Sequence, residues 1–247
     1  MKNYIQFNKA VICYTDEGAG IPLVFLHGYL ESLDIWEPFT DKLKNTFRII
    51  RIDIPGHGRS GILDETHTMN KMAEAVKYVV ENLSIEKFIL VGHSMGGYVT
   101  LAFANLFSEM LLGFVLFHST PLADTEEKKQ NRDREIELIK SGKKELIVNT
   151  NIPKGFATDN LTKLADEVQR AKQIGNETSN EGIITLLNGM KTRADHSQNL
   201  KETTLPHLWI LGIKDNYIVF DSIRQKINLN EHGENGCFGK LGTHGVY

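Results

Sequence analysis

Ser94 stands in the run Gly92-His93-Ser94-Met95-Gly96, a G-x-S-x-G pattern. A serine so placed is a candidate nucleophile: its Oγ, relieved of a proton by a neighbouring base, can attack an electron-poor carbon. Neither flanking glycine carries a Cβ, so a strand before Ser94 and a helix after it can approach closely around the turn. The spacing alone is weak, because 21 glycines in 247 residues make a chance match easy. The flanks strengthen it. Phe88-Ile89-Leu90-Val91 is an unbroken apolar run, the mark of a strand buried on both faces. Tyr98-Val99-Thr100-Leu101-Ala102-Phe103-Ala104 follows and reads as a helix. Strand, tight turn and helix together make a nucleophile elbow, with Ser94 in strained backbone and Oγ above the sheet. The helix start offers unpaired N–H groups and a positive dipole end where an oxyanion would form.

The elements that must position Ser94 alternate along the chain. Residues 4–7 and 10–14 read as short strands, and Pro22-Leu23-Val24-Phe25-Leu26-His27 as a buried one. Residues 36–43 read as a short helix with Ser32 or Asp34 as N-cap. A strand over 47–53 follows. Thr68 caps a helix whose apolar residues Met72, Ala75, Val76, Val79, Val80 and Leu83 share one face. Buried strands recur at 111–117, ending in His118-Ser119-Thr120-Pro121, and at 206–211. Strands alternating with helices imply parallel pairing and right-handed crossovers. The rhythm breaks between 122 and 204, where the chain is polar and helical without a convincing strand. Some eighty residues are too long for a plain crossover. The expected organisation is a core of residues 1–121 and 205–247, with residues 122–204 as a helical cap over the site.

Two further motifs carry a family resemblance. The strand over 22–27 ends in His27-Gly28-Tyr29-Leu30, and that over 47–53 runs into Asp53-Ile54-Pro55-Gly56-His57-Gly58-Arg59-Ser60. Both resemble the α/β-hydrolase family, the second almost letter for letter. The resemblance implies an α/β fold: a mostly parallel central sheet, helices on both faces and a helical cap. It also implies an oxyanion hole formed by the N–H groups of Tyr29 and Met95. His27, Gly28 and His93 are then structural residues near the site, and Asp53 and His57 brace loops rather than form a catalytic pair. Asp215, four residues past the strand over 206–211, matches the family's catalytic acid, and the order Ser94, acid, late histidine is the family's order. An Asp before a helix is equally a helix cap.

The end of the chain departs from the pattern. The family carries a further strand, a loop with the catalytic histidine and a final helix. Here Glu234-Asn-Gly-Cys-Phe-Gly-Lys-Leu-Gly-Thr-His-Gly-Val-Tyr247 has four glycines, which argue against a buried strand. The last strand and final helix are expected to be disrupted or missing. Back-translated and read one base later, residues 235–247 give Met-x-Val-Leu-Glu-Asn-Ser-Gly-His-Met-Gly-Phe, the missing strand and histidine loop, so the C-terminus reads as frame-shifted. His244 falls within one residue of the displaced histidine and is the expected base; His232 sits too early.

Composition bounds the rest. The chain is 41% hydrophobic and 24% charged with a formal net charge of −3, which gives no basic field for nucleic acid or anionic membrane. No apolar run approaches a membrane span and the start does not read as a signal peptide. Two cysteines, Cys13 and Cys237, make neither a disulfide framework nor a metal spacing. The expectation is a cytoplasmic serine hydrolase, monomer or weak homo-oligomer. It would cleave a small-molecule carboxylic ester through Ser94, Asp215 and His244 with no metal or organic cofactor. A thioester, amide or C–C substrate, or a ligand-binding protein with a crippled triad, are the alternatives.

Overall fold

The computed structural model describes residues 1–218 in full and the backbone of residues 233–238. Eight strands form one sheet among the described residues: β1 (Lys2–Phe7), β2 (Ala10–Glu17), β3 (Ile21–Leu26), β4 (Phe47–Ile52), β5 (Phe88–His93), β6 (Leu111–Phe117), β7 (His207–Gly212) and β8 (Gly233–Phe238). Their spatial order is β1-β2-β4-β3-β5-β6-β7-β8. β1 and β2 are antiparallel to their neighbours, and every pair from β4 onward is parallel.

The helices are α1 (Glu37–Thr40), α2 (Met69–Asn82), α3 (Met95–Leu106), α4 (Glu126–Lys140), α5 (Lys144–Lys154), α6 (Ala165–Glu177), α7 (Asn180–Lys191) and α8 (Ser197–Glu202). The last five fall between β6 and β7, where the strand–helix rhythm breaks. The period-two alternation of β3 shows how the sheet is buried on both sides. Val24 and Leu26 join the apolar cluster containing residues of α2 and α3, while Leu23 and Phe25 join Trp36, Ile49 and Phe117 on the other face. Thr68 caps α2 by accepting from Lys71 N–H.

Two expectations are corrected. The helix expected over 36–43 is a 3₁₀ turn at Leu33–Trp36 followed by one α-turn at Glu37–Thr40. Ser32 is the cap, accepting from Asp34 N–H, and it starts the coil earlier than apolar spacing suggests. The last strand, expected to be lost to glycine, is present as β8, paired in parallel register with β7 from His207↔Gly233 to Gly212↔Phe238. A ladder is built from backbone N–H and C=O groups, which glycine supplies as well as any residue. The expected loss of the final helix falls on residues outside the described ones.

Candidate active site

Ser94 follows β5 directly and precedes α3, with φ 49° and ψ −113°. That is left-handed territory for a residue with a Cβ, held only because the surroundings over-determine it. Ser94 N–H donates to Phe117 O at 2.8 Å, and Ser94 O accepts from Gly97 N–H at 3.0 Å and Ser119 Oγ at 2.7 Å. The strand and helix do close tightly: a Cβ at Gly92 would lie 2.3 Å from Thr100 Oγ1 and 2.4 Å from Gly96 O. Gly92→Ala is therefore expected to cost about 1–3 kcal/mol in urea unfolding. Unchanged stability would mean that the elbow is looser than its geometry indicates.

The loop after β3 faces the elbow. His27 is spoken for by backbone: Nδ1–H donates to Gly28 O at 2.8 Å and Nε2 accepts from Ile54 N–H at 3.0 Å. Gly28 N–H donates to Glu31 Oε2 at 2.5 Å, and the same oxygen lies 2.8 Å from His93 Nδ1. Glu31, a buried carboxylate, thus joins the loop after β3 to the residue before Ser94. Sequence reasoning missed it because nothing in its neighbourhood marks an acid turned inward. Asp53 and His57 do not pair. Asp53 accepts from Leu33 N–H at 2.7 Å and from Arg59 N–H at 2.9 Å. His57 stacks obliquely near the His27 ring, 5.7 Å away.

Burial keeps a group of these histidines neutral. Desolvation lowers the pKa of His27, pushes that of His57 well below the usual imidazole range, and brings His67 down to about 4. The folded pKa is depressed, so below about 6.5 the unfolded chain takes up protons the folded chain refuses. Each histidine should then remove about 1.4 kcal/mol of stability per pH unit as pH falls from 6.5 toward its folded pKa. Urea unfolding between pH 7 and 5 should show a steep decline. A flat profile would show that these imidazoles become charged without cost.

Asp215 lies three residues past β7 and is buried. Its Oδ1 accepts from Tyr217 N–H at 2.8 Å and Ile218 N–H at 2.9 Å, the geometry of a cap. Its Oδ2 lies 3.0 Å from Nδ1 of His118, the buried residue directly after β6, at φ 47°. Sequence analysis did not single out His118 as a partner of Asp215. The two are 97 residues apart and meet because β6 and β7 are neighbours. His244 and His232 lie outside the described residues.

Ser94 and Met95 line a cavity of about 970 Å³ that extends beneath α4 and α5. Its walls include Tyr29, Tyr98, Arg132, Glu135, Asn151 and Tyr217. Asp124 is held between Arg132 and Arg193, with Arg193 Nη1 at 2.6 Å. Burial would raise this carboxyl, but the two guanidinium groups outweigh it and hold its pKa below the ordinary value. Arg193 in turn lies over the Tyr98 ring, 4.0 Å from its centroid. Tyr29 Oη–H donates to Glu135 Oε2 at 3.1 Å. Burial first, and the Glu135 charge second, push the Tyr29 phenol well above its usual range. Among the described residues no cluster of three or more His, Cys, Asp or Glu side chains is placed to hold a metal, and no helix is long and apolar enough to cross a membrane.

Comparison with known proteins bears on this arrangement. Residues 21–137 match the family described as alpha/beta hydrolase fold. The chain is 28% identical over 237 residues to the AB hydrolase superfamily protein YisY of Bacillus subtilis (strain 168), covering 91% of this chain and 86% of that protein. It is 34% identical over 114 residues to Protein PHYLLO, chloroplastic, of Arabidopsis thaliana, and there it spans only 7% of the relative's length against 43% of its own. A solved thermophilic esterase from Thermogutta terrifontis (malate bound) superposes with a TM-score of 0.91 at 24% identity, covering 99% of this chain and 92% of that one.

Proposed function

The chain belongs to the α/β-hydrolase family of hydrolases, and from that premise we propose that it cleaves a carboxylic ester of a small molecule, in the cytoplasm, with Ser94 as nucleophile. Ser94 Oγ attacks the acyl carbon. The late histidine, assigned to His244 outside the described residues, takes the serine proton and returns it to the leaving alcohol. Water then attacks the acyl-enzyme with the same histidine as base. Asp215 orients that histidine and stabilises its cation. The N–H groups of Tyr29 and Met95 hold the oxyanion, each donor contributing about 10²–10³ in rate. No metal or organic cofactor takes part. Residues 122–204 act as the cap that closes the cavity, and the solved esterase with the same fold supports an ester as the substrate.

The observation that carries the reading is Ser94 itself, held at φ 49° at the head of α3 and opening onto a large cavity. Strain of this kind is retained where it serves a site. A fluorophosphonate should label the chain once, on the peptide containing Ser94, and a short p-nitrophenyl ester should be turned over. Label on another residue, or ester binding without turnover, would overturn the assignment.

A further inference from the structure

Tyr29 carries two tasks at once. Its backbone N–H is the assigned oxyanion donor, and its phenol reaches Glu135 of α4, 106 residues along the chain. The loop it belongs to is strained: Leu30, the next residue, has φ 59°. A strained loop holds one conformation only when fixed from several sides. From below it is fixed by Glu31 Oε2, which takes Gly28 N–H and faces His93. From above, the fixing group is Glu135.

Glu135 is itself held. Its Oε1 accepts from Asn151 Nδ2 of α5 at 2.9 Å, while Oε2 accepts from the Tyr29 phenol. Asn151 O in turn accepts from Tyr217 Oη–H at 2.8 Å, and Tyr217 N–H donates to Asp215 Oδ1. Polar contacts therefore run across the cavity from the loop after β3, through α4 and α5, to the loop after β7. The phenol donates to a carboxylate oxygen at 3.1 Å and so ties the loop to α4. Because burial and Glu135 keep the phenol protonated, the donor persists into alkaline solution.

We propose that Glu135 is a positioning residue, acting through the Tyr29 phenol to hold the Tyr29 backbone N–H where an oxyanion forms, so that the inserted helices complete the site only when seated on it. This rests on Ser94 and Tyr29 acting as assigned above. The helices then set the rate as well as the shape of the cavity: displacing α4 releases the oxyanion loop, and displacing α5 releases Asn151 from both Glu135 and Tyr217.

The test uses the whole chain and four variants: Glu135→Ala, Tyr29→Phe, the two combined, and Glu135→Gln. Glu135→Ala should lower kcat by about tenfold or more, short of the ~10²–10³ of a donor lost outright, with KM changed far less. Tyr29→Phe, which removes the phenol bond but leaves Glu135 on Asn151, should lower kcat by a similar factor, and the combined variant should be no worse than Glu135→Ala, which already lacks that bond. Glu135→Gln keeps an amide oxygen for the phenol and should recover most of the rate. By hydrogen exchange, the amides of residues 28–31 should exchange faster in Glu135→Ala and Tyr29→Phe but not in Glu135→Gln, with α3 unchanged. A melting temperature that falls while kcat and loop exchange stay at wild-type values would overturn the proposal and leave a structural tie. Exchange separates this from the reading beneath it. If the wild-type chain neither hydrolyses esters nor takes a fluorophosphonate, the hydrolase assignment fails. Exchange at 28–31 then still decides whether Glu135 holds the loop: wild-type exchange there in Glu135→Ala overturns the proposal.

Discussion

Ser94→Ala is expected to reduce ester turnover by roughly 10⁶-fold and to abolish fluorophosphonate labelling, without lowering the melting temperature. The size follows from the nucleophile's place in the mechanism: without Oγ no acyl-enzyme forms, and only the oxyanion donors and binding remain. The stability half of the expectation follows from the hydrogen bonds. Ser94 is tied into the fold through its N–H to Phe117 and its carbonyl to Gly97 and Ser119, all of which alanine keeps. Its side chain caps no N–H of α3. Alanine also carries a Cβ, so the strain at φ 49° is carried over unchanged. Asp53 offers the opposite case. It pins Leu33 and Arg59 by their backbone N–H groups, so its removal should show in stability before rate. A Ser94→Ala protein that keeps its turnover, or its label, would place the nucleophile elsewhere.

The elbow could be read from sequence because its signal is local. Four apolar residues, a glycine on either side of Ser94 and an apolar helix specify the strand, the turn and the close approach within seventeen residues. The sheet is legible for a similar reason: β3, β5 and β6 bury both faces, so their residues are apolar without alternation. What could not be read depends on topology. Glu31 meets His93 across 62 residues and His118 meets Asp215 across 97, each brought together by neighbouring strands rather than by spacing. Glu135 sits in a helix rich in charged residues, and which of those charges turns inward is decided by packing on the core, not by the helix itself. β8 is not legible in the sequence because side-chain preference argues against glycine, whereas the ladder with β7 is made by backbone groups.

The acid offers a second large effect, because Asp215 fits both a catalytic and a capping role and two substitutions separate them. Asp215→Asn leaves an oxygen that can still accept from Tyr217 and Ile218 N–H, so the cap survives. What it replaces is the other carboxylate oxygen, now an amide nitrogen facing His118 Nδ1 and unable to accept from an imidazole. If Asp215 orients the catalytic histidine, turnover should fall by about 10⁴, as it does for the corresponding substitution in a serine protease triad. The melting temperature should also drop, since a buried donor of His118 would face another donor. If Asp215 only caps, Asn should leave the rate within an order of magnitude, and Ala should cost about 1 kcal/mol of stability instead. Measuring kcat and melting temperature for both variants gives four numbers and two patterns. A rate loss common to Asn and Ala assigns the acid, because only the ionised carboxylate can stabilise an imidazolium. A rate intact in both variants, with only stability lost, removes Asp215 from the triad and leaves it as the cap of the turn after β7 and the partner of His118.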